Sequence, residues 1–141
     1  VRMFKRLRSI LKKINEVTID DASIRVATSI GHEDISVDDI VEQLQSYYWQ
    51  NEDGELSSLS HHYEYEELED VEIVSAKLED GNVKCKMAFN SSVTIYLDNE
   101  DDDGVTLSFP TEASFEIQNN GKKWEINEES IRSKFDTSSF Y

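Results

Sequence analysis

The sequence predicts a two-layer α+β domain: a four-stranded antiparallel meander over about 69–127, with N-terminal helices packed on one face. Three observations predict it. Runs of alternating polarity fill the second half of the chain, and Asp80-Gly81, Asp103-Gly104 and Asn120-Gly121 separate them. In the first half, apolar residues recur at steps of three and four.

Taken in order, Met3/Phe4, Leu7, Ile10/Leu11 and Ile14 make residues 2–15 an expected amphipathic helix whose other face is Arg and Lys. Ile19, Ala22, Val26 and Ile30 form a second helical stripe, with Thr18 and Asp21 at capping-box spacing and Gly31 as a C-cap. The same stretch also alternates as Ile24, Val26, Thr28 and Ile30, as a strand would; the helix is the favoured reading. Ser36 followed by Asp38 and Asp39 is a stronger start signal, because the hydroxyl takes an orphan N–H and the acids complement the helix dipole. Val37, Ile40/Val41, Leu44 and Tyr47/Tyr48 then line one face of a helix at 37–49. Residues 51–60 read as a loop and 61–68 as a short added strand. A short final helix is expected at 128–135, starting from Asn127, and a frayed tail at 136–141.

Within the meander, Val83, Cys85, Met87, Phe89, Val93, Ile95 and Leu97 share one parity, as do Val105, Leu107, Phe109, Ala113, Phe115 and Ile117. One face is therefore buried and one wet. A turn at 80–81 pairs Leu78 with Val83, Ala76 with Cys85 and Val74 with Met87. A loop at 98–104 pairs Leu97 with Val105, Ile95 with Leu107, Val93 with Phe109 and Met87 with Phe115. A turn at 120–121 pairs Ile117 with Trp124 and Phe115 with Ile126. Pro110, which lacks a donor, marks a bulge or an edge.

At 141 residues the chain fits one core-forming domain, and 38% apolar with 10% aromatic residues argues for a folded one. No apolar run approaches the roughly 20 residues of a membrane-spanning helix, and no signal-peptide core is present. A lone cysteine, Cys85, excludes an intrachain disulfide and reads as a small core residue. A cytoplasmic location is expected.

Catalytic signatures are absent: no phosphate loop, nucleophile elbow or Cys-His pair. No cofactor and no enzymatic activity are expected. Asn99, Asp101, Asp103 and Gly104 fit the front of a calcium loop, with Asp98, Asp101 and Asp103 as the metal candidates, but Pro110 stands where the closing bidentate acid belongs, so a solvated acidic hairpin outweighs a metal site. His61 and His62 with Glu64 and Glu66 lack a third-ligand pattern, because adjacent strand residues point to opposite faces. His32 reads as a surface residue. The even-numbered sheet face, with Lys84, Lys86, Thr94, Tyr96, Ser108, Glu112 and Glu116, is either a solvated surface or a shallow binding one. Trp49 lies off the apolar stripe beside Tyr47 and Tyr48, with Tyr63 and Tyr65 nearby, and is a candidate contact residue.

Charge divides the chain. Residues 1–16 hold six Lys/Arg against one Glu, while the other 125 hold eight against 29 Asp/Glu, within a net of −16. The expected organisation is a basic amphipathic connector or docking helix at 1–16 and an acidic α+β domain at 17–141. The first residue is Val, which fits a segment joined to something upstream. An acidic body repels phosphate, so direct nucleic-acid binding is not expected. A basic protein partner or adjacent domain is expected instead, with Arg2, Lys5, Arg6, Arg8, Lys12, Trp49 and Tyr96 as contact candidates.

The run 71–117, with long polar-apolar strands and acidic turns, resembles the β-rich accessory region after the nuclease domain in some bacterial PIN-domain proteins. It also resembles small acidic bacterial immunity proteins. The likeness covers about a third of the chain and carries over no catalytic residue, since the nuclease acids would lie upstream. It implies a non-catalytic interaction or accessory domain. The alternatives are a free-standing acidic inhibitor (immunity protein, antitoxin or nucleic-acid mimic) and a small-molecule-binding or enzymatic α+β cone with a pocket between sheet and helix.

Overall fold

The computed structural model describes residues 16–20, 22–28, 30–60, 62–96 and 104–138. The expected helix at 2–15, with Arg2, Lys5, Arg6, Arg8 and Lys12, lies outside the described residues, as do Leu97, Asp98, Asp101 and Asp103. A three-stranded antiparallel sheet comes first: β1 (Glu16–Ile19), β2 (Ser23–Thr28) and β3 (Gly31–Ser36). Next come α1 (Val37–Gln50) and the single-turn α2 (Gly54–Ser57). Then β4 (His62–Glu79), β5 (Asn82–Tyr96), β6 (Val105–Asn119) and β7 (Trp124–Phe135) form a four-stranded antiparallel meander in sequence order.

The α+β class holds, with the main helix in mid-chain. At 19–30 strands replace the expected helix. Of its stripe only Val26 is buried; Ile19 and Ala22 are exposed, and Ile30 is 97% exposed in a turn. The alternating pair Ile24 and Val26 enters the core instead. Asp20 and Ser23 exchange backbone hydrogen bonds across the β1–β2 turn, and Gly31 opens β3 at φ +148° rather than capping a helix. The helix at 37–49 is present: the Ser36 hydroxyl accepts from the Asp39 amide, and Ile40, Leu44 and Tyr48 are buried. Inside the expected loop at 51–60, the Asp53 carboxylate caps α2 by accepting from the Glu55 and Leu56 amides.

The short strand at 61–68 is the first half of a much longer β4. No final helix forms at 128–135; that segment continues β7. Asn127 does begin a local turn: its side chain accepts from the Glu129 amide, and its carbonyl accepts from the Ser130 hydroxyl. Pairing resumes at Arg132 opposite Ser114, so the turn is a bulge within the strand.

Register keeps the expected parity along β5 and β6, where two hairpins shift, but a bulge reverses it partway along β4. Asp80 and Gly81 both have positive φ, as a type I′ turn requires, and Leu78 faces Val83 while Ala76 faces Cys85. A bulge then places Ile73, not Val74, opposite Met87. In the next hairpin Ile95 faces Val105 and Val93 faces Leu107, two residues from expectation. In the last, Ile117 faces Ile126, because Asn120 Oδ1 accepts from the Lys122 and Lys123 amides and widens the turn. A two-residue slip leaves every side chain on its face, which is why alternation could not detect it. Pro110 is neither a bulge nor on an edge strand: β6 lies between β5 and β7, Pro110 pairs regularly with Asn90, and its carbonyl accepts from the Asp136 amide just past the end of β7.

α1 bridges the two edge strands. Gln45 Oε1 accepts from the Leu68 amide of β4 at 3.2 Å, and Gln43 Oε1 accepts from the Ile126 amide of β7 at 2.7 Å. Tyr48 hydrogen bonds Ser133 of β7 and packs against Tyr65, Phe89 and Phe135. Glu33 of β3 ties the small sheet to the large one by accepting from Trp124 Nε1 at 2.6 Å and Asn119 Nδ2 at 3.2 Å.

Candidate functional site

The most distinctive chemistry lies on β4, an edge strand. Glu64, Glu66, Glu67, Glu69, Asp70 and Glu72 are all exposed, and no Lys or Arg occurs among residues 62–76. Apolar residues here fall at 63, 65, 68, 71 and 73, so the two-residue period breaks twice. Register shifts between Tyr65 and Glu67 and between Glu69 and Glu72 accommodate the breaks. Each leaves neighbouring acids outside while Leu68 stays buried. Asp70 adopts φ +54° within the second. The carboxylates crowd one another: a hydrogen bond with Glu67, with repulsion from Glu67 and Asp70, holds the Glu69 carboxyl above its ordinary pKa.

Two clefts flank this strand. The first, of about 800 Å³, is lined by Asp70, Glu72, Glu112, Asp136 and Lys134 among others, with Ala88 and Pro110. Its rows follow the ladder, Glu72 facing Ala88, Ala88 facing Glu112 and Glu112 facing Lys134. Asn90 Nδ2 donates to Asp70 at 3.2 Å, and Lys86 lies 3.8 Å from Glu112. Hydrogen bonds from Ser138 lower the Asp136 pKa, keeping that carboxyl charged. The second cleft, of about 470 Å³, lies between the end of α1 and the start of β4; Trp49, Glu52, Ser57, His62, Tyr63 and Glu64 line it.

The sequence candidates divide accordingly. Trp49 is 59% exposed and anchored, its indole N–H donating at 2.9 Å to the Glu66 carbonyl at the first bulge. Tyr96 is half-buried: its ring lies 4.8 Å from that of His62, and its hydroxyl donates to Glu64. The even-numbered face is laced with cross-strand pairs, Lys84 with Glu79 at 2.8 Å and Asn82 with Glu116 at 3.1 Å. Among the described residues no group of three or more His, Cys, Asp and Glu side chains is arranged to hold a metal ion. Cys85 is buried, which raises its thiol pKa to about 12. His32 is exposed at the start of β3.

The sequence reading missed the continuous acidic strip on β4 and the first cleft. The strip was legible in the three-residue spacings of 65, 68 and 71. The cleft was not, because Asp70, Glu112 and Asp136 come from β4, β6 and the segment just past β7. No helix among the described residues is long and apolar enough to cross a membrane. The chain matches no protein-family model, no curated protein and no solved structure.

Proposed function

We propose that this chain is a non-catalytic interaction or accessory domain that recognises a basic protein partner through the acidic strip of β4. The observation that carries the reading is six exposed acids within nine residues of one edge strand, with no cation interleaved. Carboxylates crowded this way gain most from a partner's Lys and Arg, and their field speeds encounter. The side chains of α1 already occupy two backbone groups of this edge, at Glu66 and Leu68, which favours recognition by acidic side chains over addition of a further strand. A small-molecule site between sheet and helix fits less well, because Leu44, Tyr48, Phe89 and Phe135 fill that space.

The test measures affinity for a hexa-arginine peptide at about 20 mM and about 300 mM salt. The quadruple variant Glu66→Gln, Glu67→Gln, Glu69→Gln, Asp70→Asn should bind about tenfold more weakly at low salt. A control neutralising Glu55, Glu125, Glu128 and Glu129 carries the same net charge and should stay within about twofold. Equal loss in both would show general charge attraction and sink the assignment to β4.

A further inference from the structure

We propose that the cleft between the C-terminus of α1 and the start of β4 is an arginine-binding pocket, with Trp49 and Tyr63 as its aromatic walls and Glu52 and Glu64 as its anionic partners. This deepens the reading of β4 as a surface for a basic partner and rests on it for the partner's chemistry. Three separate features converge. Trp49 and Tyr63 line the cleft, and Trp and Tyr rings attract cations through their faces. Both rings are fixed from outside: the Trp49 N–H is held by the Glu66 carbonyl, and the Tyr63 hydroxyl accepts from the Asp53 amide at 2.8 Å. Rings held in place lose little freedom on binding.

The second feature is charge. Glu52 and Glu64 line the cleft, and among the described residues no Lys or Arg does. Burial chiefly raises the Tyr63 pKa, the hydrogen bond from the Asp53 amide opposes that rise, and repulsion from Asp53 and Glu52 adds to it. The third is the helix itself. α1 ends here with no basic residue in its last turn, leaving the negative end of its dipole without a cationic side chain of its own. The cleft's roughly 470 Å³ falls within the range of about 300–1,000 Å³ usual for ligand sites, room for one long side chain with its flanking backbone. Arginine fits better than lysine, because a planar guanidinium stacks on a ring and still bonds carboxylates in its plane.

The test titrates the full chain with hexa-arginine, hexa-lysine and hexa-citrulline peptides, following the Trp49 indole N–H by NMR. Hexa-arginine should shift that resonance, hexa-lysine should bind at least about threefold more weakly, and hexa-citrulline should not bind. Trp49→Ala should weaken hexa-arginine binding about tenfold, and Trp49→Phe should restore most of it. Should Trp49→Ala perturb folding by circular dichroism, the surface pair Glu52→Gln with Glu64→Gln supplies the same test. Full affinity in the Trp49 and Glu52/Glu64 variants, with loss in the quadruple β4 variant, overturns the pocket and leaves the β4 surface standing. Loss in the pocket variants alone supports the pocket and overturns the β4 strip. Equal binding of hexa-lysine overturns the arginine assignment, and no binding of any peptide at low salt overturns both readings.

Discussion

Ser91 interrupts the apolar parity of β5, yet it is fully buried. Its place is set by a hydroxyl chain through the core: Tyr65, Ser91 and Thr111 stand at 2.9 and 2.8 Å, and Thr111 donates onward to the Phe109 carbonyl. Each hydroxyl has one proton, and a carbonyl only accepts. The direction is therefore fixed, with Tyr65 donating to Ser91 and Ser91 to Thr111. Thr111→Val leaves one buried O–H without an acceptor and should cost about 1–3 kcal/mol. Tyr65→Phe removes a donor and leaves the rest of the chain satisfied, so it should cost nearer 1 kcal/mol. Urea unfolding of the two variants checks the order; a costlier Tyr65→Phe would contradict the direction. A serine amid Met87, Phe89 and Val93 is visible in sequence, but its partners lie 20 and 26 positions away.

At the scale of elements, α1 was the most legible, and it packs against β3, β4 and β7. Its start is local chemistry, the Ser36 cap and two acids, and its buried face follows from spacing. Its second role, meeting both edge strands through Gln43 and Gln45, shows in no pattern, because polar residues beside an apolar stripe look like any solvated flank. Leu44→Ala removes a fully buried side chain from the inner face of α1 and should cost about 2–5 kcal/mol, whereas exposed Gln50→Ala should stay within about 0.5 kcal/mol. Denaturant midpoints read both. The strands teach the converse: alternation assigned faces correctly along β5 and β6, while turn chemistry set the shift. Asp80-Gly81 behaved as a type I′ turn and Asn120-Gly121 did not, since Asn120 spends its side chain on the amides of a wider loop.

For the molecule as a whole, two tyrosines tie the core to pH. Burial pushes the Tyr48 hydroxyl up to about 12 and raises Tyr65 as well. A folded pKa above the unfolded one means that the native state holds the proton more tightly. Their contribution is complete below the ordinary tyrosine value of about 10 and is lost as pH rises through about 12. Tyrosinate absorbance from Tyr48 and Tyr65 should therefore appear together with loss of the β-sheet circular dichroism. Titration of all six tyrosines near pH 10 in a folded protein would contradict this burial.

What the sequence determined by itself was local or periodic: the Ser36 cap, the face of α1, the parity of β5 and β6, the type I′ turn and the excess of acid. Each depends on residues within a turn or two of one another. The tertiary structure alone decided whether the stretch at 19–30 became helix or strand, how far each hairpin shifted, and which acids came together. Ile24 and Val26 are buried as strand residues because the core lies on that side, and Ile19 and Ile30 are left outside. The two clefts beside β4 exist only because strands and a helix distant in sequence meet there, a matter of three-dimensional closure that no spacing along one strand encodes.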